Sequence, residues 1–414
     1  MARHRVHVSK VDTQSPLTVG NGEFAFTADV TGLQTLNTTY VMPPLQTMSH
    51  WAWHTIPAAL AGVEPSDFKE QAVTVNGHTS HYPTQDGQPQ SLVDYLRSNP
   101  HRFNLGRVFL RRGVSAGAAA IAVADLTQIN QTLDLWTGTL RSHFDLDGTA
   151  VAVETVVHPT LDQVAVRVCS PLLAQDDALA IGLAFPYGDT AFKGGSDWHV
   201  DASRHTSERV SPPSECDPAP VLRHTLDGTS YFMRLSLNSS AASAASASAA
   251  GASAAGASAA GACVRLLAVD GEPHAWSVSL KPSNTAASSV SSASASSGSS
   301  CLEVGAWFTL EEQPSPLPSV RDAMAASAAH WPAAWQEGAA LDLSGSTAAG
   351  AQDLERRVVL SQFIMMSQVG VFGQHGRMLL LLMMMMSSLM MMMSSLMMMM
   401  SSLMIAGVLR SSKD

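Results

Sequence analysis

The sequence predicts a mainly β protein built as a large antiparallel sandwich, and three observations carry that expectation. From about residue 17 to about residue 310, short β-rich runs follow one another. Turn signals separate several of them: Gly20-Asn21-Gly22, Asn76-Gly77, Asp147-Gly148, Asp227-Gly228 and Asp270-Gly271. Helical periodicity is scarce in this stretch, apart from Ser91 to Arg97. Many short strands with frequent turns imply antiparallel sheets packed face to face.

The elements follow in order. Val6 to Val8, Phe24 to Val30, Val151 to Val157, Val164 to Val168 and Tyr231 to Leu237 read as strands. Asp147-Gly148 lies between Leu140–Leu146 and Thr149–Thr155, a strong hairpin signal because that dipeptide accepts two successive positive φ angles. Strands resume at Val264 and Leu302, each after a tract made almost wholly of Ser and Ala, 239–262 and 286–300. The tracts lack an apolar face and read as disordered expansions of hairpin loops. A long surface loop adds little closure entropy, so a sandwich tolerates them. The class changes after Pro314-Ser-Pro-Leu-Pro318. Val320 to Gln336 reads as helical, with Pro332 marking the start of a second helix, and another helix begins near Ala351. On that last helix Leu354, Val358, Leu360 and Ile364 form the apolar set, and Glu355, Arg356 and Arg357 the charged one.

Composition qualifies this picture. Of the 414 residues 46% are apolar and 14% charged, but the two Ser/Ala tracts and residues 378–409 hold no charge at all. The last of these carries 14 of the 21 methionines and repeats Leu-Met-Met-Met-Met-Ser-Ser three times. As a helix it would run about 48 Å, beyond the roughly 30 Å of a bilayer core. A membrane anchor, a self-associating helix and a translated tandem DNA repeat all fit such a tail, and the perfect identity of the units favours the last. The net charge of −10 argues against nucleic acid, which needs clustered Lys and Arg. Basic residues at the N-terminus are followed by no apolar run, so no secretory signal is expected. Cys169, Cys216, Cys263 and Cys301 are far apart and form no CxxC pair. They predict buried free thiols rather than a zinc site or a disulfide framework.

No nucleophile elbow, zinc-protease motif or phosphate loop occurs, and no cofactor or metal site is expected. The densest constellation runs from Pro44 to His54, where Trp51, Trp53, His50 and His54 crowd together. Sugars offer apolar C–H faces and many hydroxyls, so flat indoles beside imidazoles suit them. On a strand, Trp51 and Trp53 would share one face, with His50, Ala52 and His54 on the other. Glu23, after the Gly20-Asn21-Gly22 turn, is the most suggestive carboxylate of the β region. Glu23, Trp51, Trp53 and His54 are therefore the candidate sugar-binding residues, weighed against plain roles in the core or in a turn. Asn99 to Arg107 reads as a loop whose polar groups cap backbone carbonyls. Asp197-Trp198-His199 is an aromatic-polar triplet in a Gly-rich loop.

Ser15 to Phe26 followed by Asp29 to Thr35 resembles the opening of proteins related to the family 65 glycoside hydrolases, within the six-hairpin glycosidase superfamily. Thr47 to His54, Asn99 to Arg107, His330 to Thr347 and Leu354 to Gln362 are similar to the same group, so the likeness covers roughly residues 3–363 outside the Ser/Ala tracts. It implies an N-terminal β-supersandwich (1–318), a helical linker (319–350) and an (α/α)6 catalytic barrel, of which 351–377 would be the start of the first helix. It also implies a role in carbohydrate metabolism, by hydrolysis or phosphorolysis of glycosidic bonds. After Phe363 the sequence leaves the family pattern, and the general-acid Glu of the barrel has no matching position. No catalytic residue is carried over, and the expectation is a shortened glycosidase-like chain without turnover. The alternative is a non-catalytic carbohydrate-binding sandwich, tethered to a membrane through 378–409.

Overall fold

The computed structural model describes residues 2–368, leaving out 56, 58–63, 85, 115–116, 176–177, 190–194, 242–261, 282–299, 313–316 and 339. The Met/Leu/Ser tail 378–409 and most of both Ser/Ala tracts lie outside the described residues. The ends of the tracts are visible. Ser239 to Ala241 prolong the strand Thr229–Ala241, and Ser300 opens the strand Ser300–Thr309. No helix among the described residues is long and apolar enough to cross a membrane.

The protein is mainly β, and its named strands pair antiparallel. A nine-stranded sheet orders Val6–Val8, Leu126–Asp134, Thr139–Leu146, Thr149–Val157, Gln163–Ser170, Ser300–Thr309, Thr229–Ala241, Val221–Leu226 and His205–Arg209. A four-stranded sheet orders Cys263–Ala268, Ala275–Lys281, Ala180–Ala184 and Arg107–Arg111. Leu17–Gly20, Phe24–Ala28 and Thr47–Ser49 form a third sheet. Alternation supplies the core. Val164, Val166, Val168, Leu302 and Val304 from the large sheet join Val108, Leu110, Ile181 and Leu183 from the four-stranded one in a single apolar cluster. The Asp147-Gly148 turn is where the sequence places it, with φ of 50° and 78° and Leu146 paired to Thr149.

Helices cover what the strands leave open. Gln90–Ser98 is the short helix expected from the sequence. Val320–Glu337 opens on a capping box of Ser319 and Asp322, and its Val320 and Ala323 meet Val156 and Ala165 of the large sheet. Pro332 does not start a second helix; it lies inside this one. Trp331 and Trp335 flank it, both buried, and the Trp335 indole donates to the Leu135 carbonyl at 2.6 Å. These anchors hold the helix together across the proline.

In Ala351–Gln368 the buried stripe is Glu355, Val359, Phe363 and Ser367, while Leu354 and Ile364 are exposed at 55% and 41%. The expected apolar face is thus displaced around the helix. The reason is Glu355, whose carboxylate accepts from Arg3 at 2.6 Å, His4 at 2.5 Å and the Leu343 amide at 2.7 Å. A charge with that many donors can be buried. At the other end of the helix, the Ser367 carbonyl accepts from the Gly22 amide at 3.0 Å. The backbone approach is so close that a Cβ on Gly20 would fall 2.1 Å from that same oxygen.

The cysteines correct the sequence reading. All four are oxidised, as Cys169–Cys301 and Cys216–Cys263. Gln163–Ser170 and Ser300–Thr309 are neighbours in the large sheet, and their register sets Cys169 directly opposite Cys301. Chain spacing carries no information about that pairing.

Candidate functional site

The strand Arg107–Arg111 forms one edge of the four-stranded sheet, with the sequence Arg-Val-Phe-Leu-Arg. Val108 and Leu110 enter the core, so Arg107, Phe109 and Arg111 stand on the opposite face. That face forms part of the wall of a cavity of about 940 Å³, near the upper end of the range for small-molecule sites. The loop after Leu33, the segment 195–200 and the turn at Gly271–His274 close it round, contributing among others Gln46, Trp198 and Glu272. Gly182, paired with Phe109 across the sheet, leaves room for the ring: a Cβ there would sit 2.4 Å from it.

Arg107 is the most unusual group of this wall. Its guanidinium carbon lies 4.3 Å from the Phe109 ring centre and 4.8 Å from that of Trp198. Burial lowers its pKa to about 10, with Glu272 opposing and Arg111 assisting, so it stays charged at neutral pH. Among the described residues that guanidinium makes no hydrogen bond or ion pair, and its Nε is buried without an acceptor. The other charges of the wall are engaged. Glu272 accepts from Arg111 at 3.2 Å, Arg112 meets Asp125 at 2.9 Å and also Asp147, and Asp197 accepts from the His199 amide at 2.8 Å.

Two imidazoles also line the cavity. His205 and His274 stack with ring centres 3.8 Å apart, and His224 meets His205 edge-on at 5.1 Å. His274 donates through Nε2 to the Ala202 carbonyl and accepts at Nδ1 from Ser207. Burial pushes all three pKa values down, that of His205 to about 4, and nearby rings add to the effect on His205 and His224. They are neutral packing groups at pH 7. Among the described residues no group of three His, Cys, Asp or Glu side chains is placed to hold a metal ion.

None of the four residues singled out from the sequence lies on this wall. The Trp-rich segment is not one strand: Thr47–Ser49 ends before it, and Trp53–His54 pairs separately with His101–Arg102. The expected sharing of one face by Trp51 and Trp53 therefore fails. Trp51 is partly buried against Tyr231 and donates to Asp162 at 2.6 Å, beside Ser49. Burial raises the pKa of that carboxyl. His54 is fully enclosed. It donates to Asp227 at 2.9 Å, accepts from Thr229 at 3.1 Å and touches the rings of His101, Phe103 and Tyr187 edge-on. Asp227 also accepts from the Tyr187 hydroxyl at 2.6 Å. Trp53 is 45% exposed, under the Arg102 guanidinium at 5.1 Å, and Glu23 is an exposed turn residue.

The residues named from the sequence and those of this wall are thus two separate clusters, although the sequence reading touches the second one twice. Asn99 to Arg107, read as a capping loop, ends on the key guanidinium. Asp197-Trp198-His199 supplies its second aromatic face. The signal within reach was two arginines flanking a phenylalanine at alternate strand positions.

No family model matches the chain, and no curated protein matches it. A solved structure described as "Putative kojibiose phosphorylase from human microbiome" is similar with a TM-score of 0.38 and 6% identity. The likeness covers 86% of this chain, which spans 37% of the length of that one.

Proposed function

We propose that this chain is a carbohydrate-handling β-sandwich of a glycoside-hydrolase-like protein, and that it binds its sugar in the cavity against the four-stranded sheet without cleaving it. One observation carries the reading: a preformed cavity of about 940 Å³ whose wall combines the Phe109 and Trp198 rings with Arg107 and Gln46. Aromatic faces suit the C–H surfaces of a pyranose, and the polar groups suit its hydroxyls. The sequence resemblance to the family 65 glycoside hydrolases supports the same substrate class. Two of the wall carboxylates, Glu272 and Asp197, are engaged by Arg111 and the His199 amide, which supports binding without turnover.

Isothermal titration of the full chain against a panel of di- and trisaccharides tests this. Saturable binding is expected, weakened about 10- to 100-fold in Trp198→Ala. Release of reducing sugar from the bound oligosaccharide should not exceed a mock preparation. Silence across the panel, or turnover above the mock, overturns the reading.

A further inference from the structure

We infer that the cavity takes an acidic saccharide, whose carboxylate or ester oxyanion sits on the guanidinium of Arg107. The inference rests on the carbohydrate reading above and narrows it. Its ground is a cation without a direct hydrogen bond or ion pair among the described residues, Glu272 acting on it only as a neighbouring charge. Phe109 and Trp198 lie against the guanidinium, yet among the described residues it has no carboxylate in ion-pair range and donates no hydrogen bond. Two acids of the same wall are engaged elsewhere: Glu272 accepts from Arg111 through both oxygens, and Asp197 accepts from the His199 amide. A cation kept in a partly desolvated place, with no direct ion pair among the described residues, favours a ligand that brings an anion. A guanidinium offers N–H groups in a planar fork, the geometry that pairs with the two oxygens of a carboxylate, sulfate or phosphate. Neutral sugars would meet the same rings and leave the charge unanswered.

The full chain is titrated with glucuronate, glucose 6-phosphate, glucose and inorganic phosphate, and with maltotriose as a neutral reference. At least one acidic sugar should bind about 10-fold or more tighter than glucose. Arg107→Gln should weaken that acidic sugar about 10- to 100-fold and maltotriose by a clearly smaller factor, with Arg107→Lys intermediate. Should Arg107→Gln fail to fold, the wild-type chain still decides. Raising NaCl from about 0.05 to about 0.5 M should weaken the acidic sugar and spare the neutral one. Equal affinities for acidic and neutral sugars, unmoved by Arg107→Gln or salt but lost in Trp198→Ala, would sink this inference and leave the carbohydrate reading standing. Inorganic phosphate binding as tightly as the acidic sugars would mark a free-anion site and overturn it too. No binding by any sugar would remove both readings.

Discussion

Two aromatic clusters of similar chemistry meet opposite fates in this molecule. Around Trp51, Trp53 and His54, nearly every polar group finds a protein partner: Asp162 takes the Trp51 indole, the His50 carbonyl takes that of Trp53, and Asp227 takes His54. Beside Trp198 and Phe109 the Arg107 guanidinium makes no hydrogen bond or ion pair among the described residues. The first cluster is dense in sequence because it is a local plug. The second is assembled from residues roughly ninety positions apart. Crowding of sugar-friendly side chains along the chain thus marks a plug whose polar groups are mostly paired, whereas the guanidinium left without a direct partner stands on a cavity wall.

The contrast can be broken most severely at His54. If that cluster is structural, His54→Ala should cost about 2–4 kcal/mol in urea unfolding, since it empties a packed site and strips Asp227 of a donor. Its effect on sugar affinity in the still-folded fraction should be small. Loss of binding with unchanged stability would reverse the assignment of the two clusters.

Acid should act next, through the stacked imidazoles on the cavity wall. An unfolded His titrates near 6.5, and the folded His205 near 4. Between these values the unfolded state binds more protons, so the stabilising effect is full above about pH 6.5 and is lost as pH falls toward 4. Asp29 works the other way, because burial raises its carboxyl to about 6 and its folded form takes up the proton first. His224 and His274 add to His205 in the first sense. The melting temperature should therefore fall between pH 7 and pH 4.5, and fall less steeply in His205→Gln. An unchanged slope in that variant would free the histidine stack from the account.

The smallest effect belongs to Trp53. Exposed and lying against Arg102, it should yield to alanine with less than about 0.5 kcal/mol of stability lost and no change in sugar affinity. A strong binding defect there would restore the Trp-rich segment as the recognition surface.

The sequence was legible wherever the determining interaction is local. Asp147-Gly148 fixes its hairpin through two positive φ values, and Ser319 with Asp322 opens its helix. It was opaque where distant register decides. Cys169 meets Cys301 only because two strands 130 or so residues apart become neighbours. Glu355 looked like a solvated charge until the N-terminal Arg3 and His4 came to rest on it. The site failed to show for the same reason: Arg107 is an ordinary strand arginine until Trp198 arrives from elsewhere in the chain.

A crystal structure of the chain grown with the saccharide that titration selects tests the central claim most directly. The account expects ligand density in the cavity beside the four-stranded sheet, against Trp198 and Arg107. Density over Trp53 and Arg102, with that cavity left to solvent, would contradict it.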